Sequence, residues 1–304
     1  MILVTGGAGV MGSRLVKGLT EKGYLVRVLS LPGDPKVSLL KDIHCEIVFG
    51  DVSNASTLKG IFLGVDTVYH LAAIIIAYDK EILWKINVEG TRNVVNSAIE
   101  NGCRHFIYIS SAAVEWPEGS DYAQSKVAAE QIVKSQDKMN YTIVRPTLTY
   151  GYNEGQEFTM FLNSLKRYPF VFFVGKGNAK KRPVLADDIV KGLLEIIGNN
   201  KTYGKTYNFS GGEEISMWDF ARLLLKYEGI KKPFIAVPAP VCNFLAYIME
   251  KTMKKPFLTR YGISRILHEA AFDNSEAQKD LGFFPVGVTE GLEKIYSFRN
   301  AKKY

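Results

Sequence analysis

Cysteine and histidine are scarce in this chain. Its 304 residues hold three cysteines (Cys45, Cys103, Cys242) and four histidines (His44, His70, His105, His268), all far apart. They form no metal-ligand spacing, so no metal site is expected. The odd, scattered cysteines fit a reducing cytoplasm and not a disulfide framework. Long apolar runs are also missing. The nearest, "APVCNFLAYIM" (239–249), is too short to span a bilayer, and Glu250 and Lys251 follow it. The opening "MILVTGG" reads as a strand entering a turn, so no signal peptide is expected. There is no internal repeat and no low-complexity linker.

What is present suits one large fold or two lobes sharing a core: 47% of the residues are apolar. The net charge is +7, but Lys and Arg are mostly spread singly, which does not favour a nucleic-acid partner. The dense cluster is Lys176, Lys180, Lys181 and Arg182. It reads either as a solvated basic loop or as a contact for an anionic part of a substrate.

Short apolar strands alternate with amphipathic helices through the first half. "MILVT", "YLVRVLS", "CEIVFGD", "VDTVYHLA", "HFIYISSA" and "YTIVRP" read as strands. "GVMGSRLVKGLTEKG", "EILWKINVEGTRNVVNSAIENG" and "DYAQSKVAAEQIVKSQ" read as helices. This pattern predicts an α/β, doubly wound parallel sheet of Rossmann type. From about residue 151 the pattern is irregular. A βα-like piece returns at "RPVLADDIVKGLLEIIG" and "KTYNFSGG", and helices are expected over 216–228 and about 240–252. The expected domains are a dinucleotide-binding part, 1–150 plus about 183–210, and a smaller α/β substrate-binding lobe, about 151–182 and 211–304.

The first strand runs into "VTGGAGVMGS", with Gly6, Gly9 and Gly12 at G-x-x-G-x-x-G spacing. The first glycine permits a tight turn and the second lets backbone approach a pyrophosphate. The third lets the helix pack close to the strand, and the helix N-terminus faces the anion. The expected contacts are Gly6, Gly9, Val10, Met11 and Gly12. A Tyr-x-x-x-Lys pattern occurs three times, at Tyr122/Lys126, Tyr227/Lys231 and Tyr247/Lys251. Only the first opens a helix after a strand ending in Ser110-Ser111. On a helix its two members share a face. A phenol ionises near pH 10, and a neighbouring ammonium favours phenolate, which suits a general acid–base pair.

These motifs resemble the short-chain dehydrogenase/reductase superfamily, specifically its extended branch of NAD-dependent epimerases and dehydratases. "FDNSEAQKDLGFFP" (272–285) is similar to the form found among 3-beta-hydroxysteroid dehydrogenases and dihydroflavonol reductases. The resemblance runs almost end to end and implies a Ser111, Tyr122, Lys126 proton relay, with Lys126 also holding the cofactor ribose. It implies cofactor contacts at Ser30, Asp51, Val52, Leu71, Ala72, Ala73, Asn87 and Pro146 besides the glycine turn. It places "AAIIIAY" (72–78), and so Tyr78, on the pocket side. Trp84 and the helix "VCNFLAYIM" add apolar lining on this reading, or are ordinary core.

Departures bear on the substrate. Only ten residues separate Ser111 from Tyr122, fewer than the family usually has. Ala112-Ala113 stand where dehydratases carry an Asp-Glu pair, so dehydration is disfavoured. Glu115-Trp116 replace the usual Tyr-Gly of epimerases, and Leu185 stands where sugar-nucleotide enzymes show a His. Arg182 remains a candidate phosphate contact. The second strand ends "VRVLSLPGD" without an acid at Ser30, which leans slightly to NADP over NAD, although Asp34 follows. The expected function is an NAD(P)-dependent oxidoreductase acting on a secondary alcohol or ketone. A sugar-nucleotide epimerase is the alternative, and a non-catalytic NAD(P) sensor ranks third. The expected partner is a small-molecule substrate, and a homodimer is allowed for.

Overall fold

The computed structural model describes residues 1–76, 79–116, 120–151, 156–253, 256 and 258–301. The chain divides into two compact units. One comprises Met1–Pro146, Ala186–Phe209 and Asp273–Phe284; the other comprises Thr147–Leu185, Ser210–Phe272 and Pro285–Tyr304.

The first unit is built on seven strands: β1 (Ile2–Thr5), β2 (Val26–Ser30), β3 (Glu46–Phe49), β4 (Thr67–His70), β5 (His105–Ile109), β6 (Asn140–Pro146) and β7 (Lys205–Phe209). They pair in the order β7-β6-β5-β4-β1-β2-β3, every pair parallel. The expected doubly wound sheet is therefore present. β1 and β4 are buried at every position, because a parallel sheet is covered on both faces and its strands carry apolar residues on both sides. The direction of travel reverses between β1 and β4. At such a switch point the loops leaving the strands part and open a crevice at their carboxyl ends.

The covering helices are α1 (Val10–Glu21), α2 (Gly90–Glu100), α3 (Asp121–Ser135) and α4 (Ala186–Leu194). α2 and α3 contribute Val94, Val95, Ala129 and Val133 to a core with Leu3, Val68, Phe106 and Ile143. α1 turns Leu15, Val16 and Leu19 inward. It approaches α4 closely, since a Cβ on Gly18 would lie 2.7 Å from Leu194. The expected long helix ahead of α2 is not uniform. A helical turn, Lys80–Leu83, passes through a π-helical stretch, Trp84–Glu89, before α2 begins. The widened stretch carries Asn87, which is buried.

Among the described residues the second unit has three two-stranded ladders. Its main core gathers Tyr150, Phe173, Phe220, Leu224, Val288 and Leu292. The helices Met217–Tyr227 and Ala239–Thr252 stand where the sequence pattern places them. The helices Gln156–Arg167, Arg260–Leu267 and Val288–Ala301 stand where that pattern offers no element.

Candidate functional site

The glycine turn has the geometry its spacing requires. Gly6 has φ +70°, and a Cβ there would lie 2.8 Å from the Ala72 nitrogen. A Cβ on Gly12 would sit 2.2 Å from the Gly6 carbonyl oxygen, so no side chain fits. Gly9 N–H donates to the Gly6 carbonyl at 3.0 Å and closes the turn. Gly9 is also the N-cap of α1, where no side chain caps the first amides and the first turn carries no acid. Backbone donors and the helix dipole thus meet at a turn where Gly6 and Gly12 admit no Cβ, and these features fit an anionic pyrophosphate.

Around this cradle stand the ends of neighbouring strands. Ser30 ends β2 and is buried. Asp51 accepts from the Ser53 amide at 2.8 Å, and its own amide donates to Thr57 Oγ1 at 2.9 Å. Gly90 lets Val52 approach, since a Cβ there would lie 2.9 Å from Val52 Cγ2. Leu71 N–H donates to the Thr5 carbonyl at 3.1 Å and Ala72 N–H to Thr5 Oγ1 at 3.3 Å, which holds 71–73 beside the glycine turn. Pro146 closes β6 and pairs with Phe209.

α3 begins because Ser120 caps it, its Oγ accepting from the Ala123 amide at 3.1 Å. That cap puts Tyr122 in the first turn and Lys126 one turn on. Lys126 is 2% exposed. Its Nζ donates to the Ile109 carbonyl at 2.7 Å and lies 4.3 Å from the centre of the Tyr108 ring. Burial pushes its ammonium down to about 7, against the opposing charge of Glu130. Ser111 follows β5 and caps the short turn Ala112–Glu115, its Oγ accepting from the Ala113 amide at 3.2 Å. The strand that Lys126 grips is therefore the one that delivers Ser111. Of the other two Tyr-x-x-x-Lys matches, Tyr227 is the last residue of its helix and Lys231 lies beyond it. Tyr247 and Lys251 share a helix, but in the second unit.

Asn87, which the resemblance marks, is joined here by Ser125, His70, Thr91 and Glu130, which carry no recognisable sequence signal. Asn87 pairs with Ile74 as a neighbouring strand would, Oδ1 accepting from the Ile74 amide at 2.8 Å and Nδ2 donating to the Ile74 carbonyl at 2.9 Å. The second hydrogen of Nδ2 goes to Ser125 Oγ at 3.0 Å. Both amide hydrogens of Asn87 are thus committed within the protein. His70 bridges Thr5 Oγ1, 2.6 Å from Nδ1, and Thr91 Oγ1, 3.0 Å from Nε2. Thr91 spends its hydroxyl hydrogen on the Asn87 carbonyl at 2.7 Å. The network therefore assigns the proton to Nε2 and makes Thr5 the donor to Nδ1. Burial holds His70 neutral, its pKa pushed down to about 3. Glu130, one turn beyond Lys126, accepts from Arg145 Nε at 2.8 Å and Nη2 at 2.7 Å. Arg145 also pairs with Glu115 of the short turn after Ser111.

The substrate candidates are dispersed. Tyr78 lies outside the described residues. Trp84 is half-buried in the π-helical stretch, with Lys80 Nζ 5.9 Å from the ring centre. Arg182 belongs to the second unit, where it pairs with Glu214 at 3.2 Å. Lys181 of the same cluster donates to the carbonyls of Arg265 and His268, and burial pushes it down to about 8. Among the described residues no cluster of His, Cys, Asp or Glu could hold a metal ion, and no helix is long and apolar enough to cross a membrane. A depression of about 680 Å³ lies at the strand starts, lined by Ile2, Thr67, His105 and Asn140. It is at the opposite end of the sheet from the glycine turn.

Comparison with known proteins bears on the family and the fold. A 3 beta-hydroxysteroid dehydrogenase/Delta 5-->4-isomerase of Mycobacterium tuberculosis is 25% identical, over 95% of this chain and 87% of that protein. The crystal structure of gox2253 superposes with a TM-score of 0.84 at 26% identity, covering 99% of this chain and 98% of that one. A UDP-glucose 4-epimerase of Thermotoga maritima, solved with UDP-glucose, shares the fold with a TM-score of 0.79 at 21% identity, over 100% of this chain and 99% of that one. The profile described as the NAD dependent epimerase/dehydratase family matches residues 2–210. The chain belongs to that family, the extended short-chain dehydrogenase/reductases, and is an NAD(P)-dependent enzyme.

Proposed function

We propose that the protein transfers hydride between a nicotinamide cofactor and an apolar secondary alcohol or ketone, with Ser111, Tyr122 and Lys126 handling the proton. The observation that carries this is the grip of Lys126 on the Ile109 carbonyl, 2.7 Å, at the end of the strand leading to Ser111. It ties the Tyr122 helix to the Ser111 strand end. The nicotinamide, when bound, accepts or returns the hydride. Ser111 hydrogen-bonds the substrate oxygen, and Tyr122 takes the hydroxyl proton as the carbonyl forms, or gives it back in reduction. Lys126 favours the phenolate when it is charged. Its depressed pKa leaves charged and neutral forms comparably populated near neutrality, and an anionic partner draws it to the charged form.

The pyrophosphate would rest on the amides of 6–12, with Asp51 and Ser30 at the adenosine side. At the end of β2 no acid meets the ribose, which leans to NADP over NAD. Asp34, a little further on, gives one carboxylate oxygen to the Lys36 amide at 2.9 Å. An apolar substrate is supported by the steroid dehydrogenase relative, which matches nearly the whole chain, and by Arg182 being paired with Glu214.

The test is direct. Purified protein is given NADPH or NADH with a panel of sterol and long-chain ketones, and separately UDP-glucose and UDP-galactose. Net nicotinamide oxidation with an apolar ketone is expected. Interconversion of the UDP-sugars without net change in nicotinamide absorbance would overturn the reading in favour of the epimerase.

A further inference from the structure

The helix Ala239–Thr252 is apolar on two faces. Cys242 and Ala246 are buried against Val174 and Ile263. Yet Val241, Phe244, Leu245, Tyr247 and Ile248 are exposed, Phe244 to 65%. Positions 241, 244, 245 and 248 follow the helical repeat, so these side chains form one stripe, with Tyr247 at its margin. Two further apolar side chains are exposed on the ladder against which the helix packs. Phe172 and Ile235 are register partners on the ladder that supplies Val174 and Val237, and both are exposed. Strand alternation puts them on the same face as Val174 and Val237. Scattered exposed leucines need no explanation, but a contiguous apolar stripe does.

Charge says what covers it. Residues 233–249 contain no charged side chain, while Lys231 and Lys232 precede them and Lys251 follows. From 230 to 260 the sequence holds six basic residues against one acidic; of these Lys232 Nζ is spent on the carbonyls of Leu165, Lys166 and Tyr168, and Arg260 pairs with Glu250. Lys251 stands four residues after Tyr247 and seven after Phe244, at the end of the exposed stripe. A second copy meeting this face across a two-fold axis would bring two sets of basic residues into one interface. A convex helix with an apolar stripe and a basic margin suits the plane of an anionic bilayer, with the stripe among the acyl chains and the lysines at the headgroups.

We propose that the face formed by Phe244, Leu245, Ile248 and Lys251, with Phe172 and Ile235 beside it, docks the protein on anionic lipid surfaces. The attachment is peripheral, and it does not depend on which substrate the enzyme takes.

The test is sedimentation of the full chain with vesicles of phosphatidylcholine alone or with 30% phosphatidylglycerol. Wild type is expected to bind the anionic vesicles and to be released by high salt. Phe244→Gln with Leu245→Gln should weaken that binding by about tenfold or more. Lys251→Glu should weaken it for anionic vesicles in particular. Melting temperature and NAD(H) affinity should not move, which separates lost docking from lost folding. Wild type that stays in the supernatant with phosphatidylglycerol vesicles would overturn the proposal. So would a wild-type dimer that Phe244→Gln with Leu245→Gln converts to monomer, because the stripe would then be an interface between copies.

Discussion

Asn87 donates to the hydroxyl of Ser125 at 3.0 Å, and Ser125 passes its own hydrogen to the Tyr122 carbonyl at 2.7 Å. The π-helical stretch is thereby tied to the first turn of α3. Asn87 also holds both backbone groups of Ile74, so one side chain fixes the loop after β4 and the helix of the proposed base. Its replacement should therefore have two separable effects.

Asn87→Ala removes three hydrogen bonds and leaves the Ile74 amide and carbonyl without their partner. At about 1 kcal/mol for each bond, the expected loss is about 2–4 kcal/mol in denaturant unfolding. Ser125→Ala removes both bonds of that hydroxyl, the one accepted from Asn87 and the one given to the Tyr122 carbonyl, and should cost about 1–3 kcal/mol. If the link positions Tyr122, Ser125→Ala should also lower kcat while leaving the KM for the cofactor unchanged. An unchanged kcat would mean that the link is structural only.

Tyr122→Phe keeps the ring and the helix but removes the ionisable hydroxyl. Turnover should fall by about 10² to 10⁴, with dinucleotide binding retained. Tyr227→Phe is the matched control: its ring stacks on Tyr296 at 5.2 Å in the second unit, and the chemical step should not notice it. Full activity in Tyr122→Phe, with hydride transfer shown to be rate-limiting by a deuterium isotope effect, would make Tyr122 an ordinary helix residue.

His70 and His105 make stability depend on pH. Both are buried, and burial pushes them down from 6.5 to about 3 and about 4 respectively. Between pH 6.5 and these values the unfolded chain binds protons that the folded chain refuses. Stability therefore falls as the pH drops from 6.5. At pH 5, His70 alone should cost about 2 kcal/mol relative to pH 7. His70→Gln keeps a donor and an acceptor but does not titrate there. Its stability should decline less than that of wild type over the same interval, as read by urea unfolding at pH 7 and pH 5. Equal declines would remove His70 from the account.

The sheet was legible because its strands are short runs of apolar residues and α1 to α3 show clear helical spacing. The glycine turn was legible because Gly6 and Gly12 leave no room for a Cβ, a constraint that marks the sequence directly. The π-helical stretch was not, since widening a turn at 84–89 leaves apolar spacing almost unchanged. The Asn87–Ser125 and Glu130–Arg145 pairs were not legible either. They join residues far apart in sequence, and each member alone is an ordinary polar residue on a helix or strand. Helix Arg260–Leu267 spans only eight residues, too few for a helical repeat to stand out from a short mixed run.

Lys126 should weaken the fold it serves. Its folded pKa of about 7 lies below the ordinary 10.5 because burial disfavours the ammonium. Between those values the unfolded chain carries a proton that the folded chain has lost, so wild-type stability rises with pH from about 7 towards 10.5. Below pH 7 the lysine stays charged in both states and its burial cost is felt in full. Lys126→Met removes the charge and keeps most of the side-chain volume, although it gives up the hydrogen bond to the Ile109 carbonyl. The variant should be more stable than wild type at pH 6–7 by about 1–3 kcal/mol, the range seen when buried charge is replaced by apolar side chains. The difference should shrink as the pH approaches 10. Activity should be lost at every pH, and cofactor affinity should fall with it. Such a trade of stability for function is common at sites that hold a charge out of water. Unfolding curves of the two proteins at pH 6.5 and pH 9.5 decide the matter. A Lys126→Met protein less stable than wild type at pH 6.5 would show that the bond to Ile109 outweighs the cost of burying the charge.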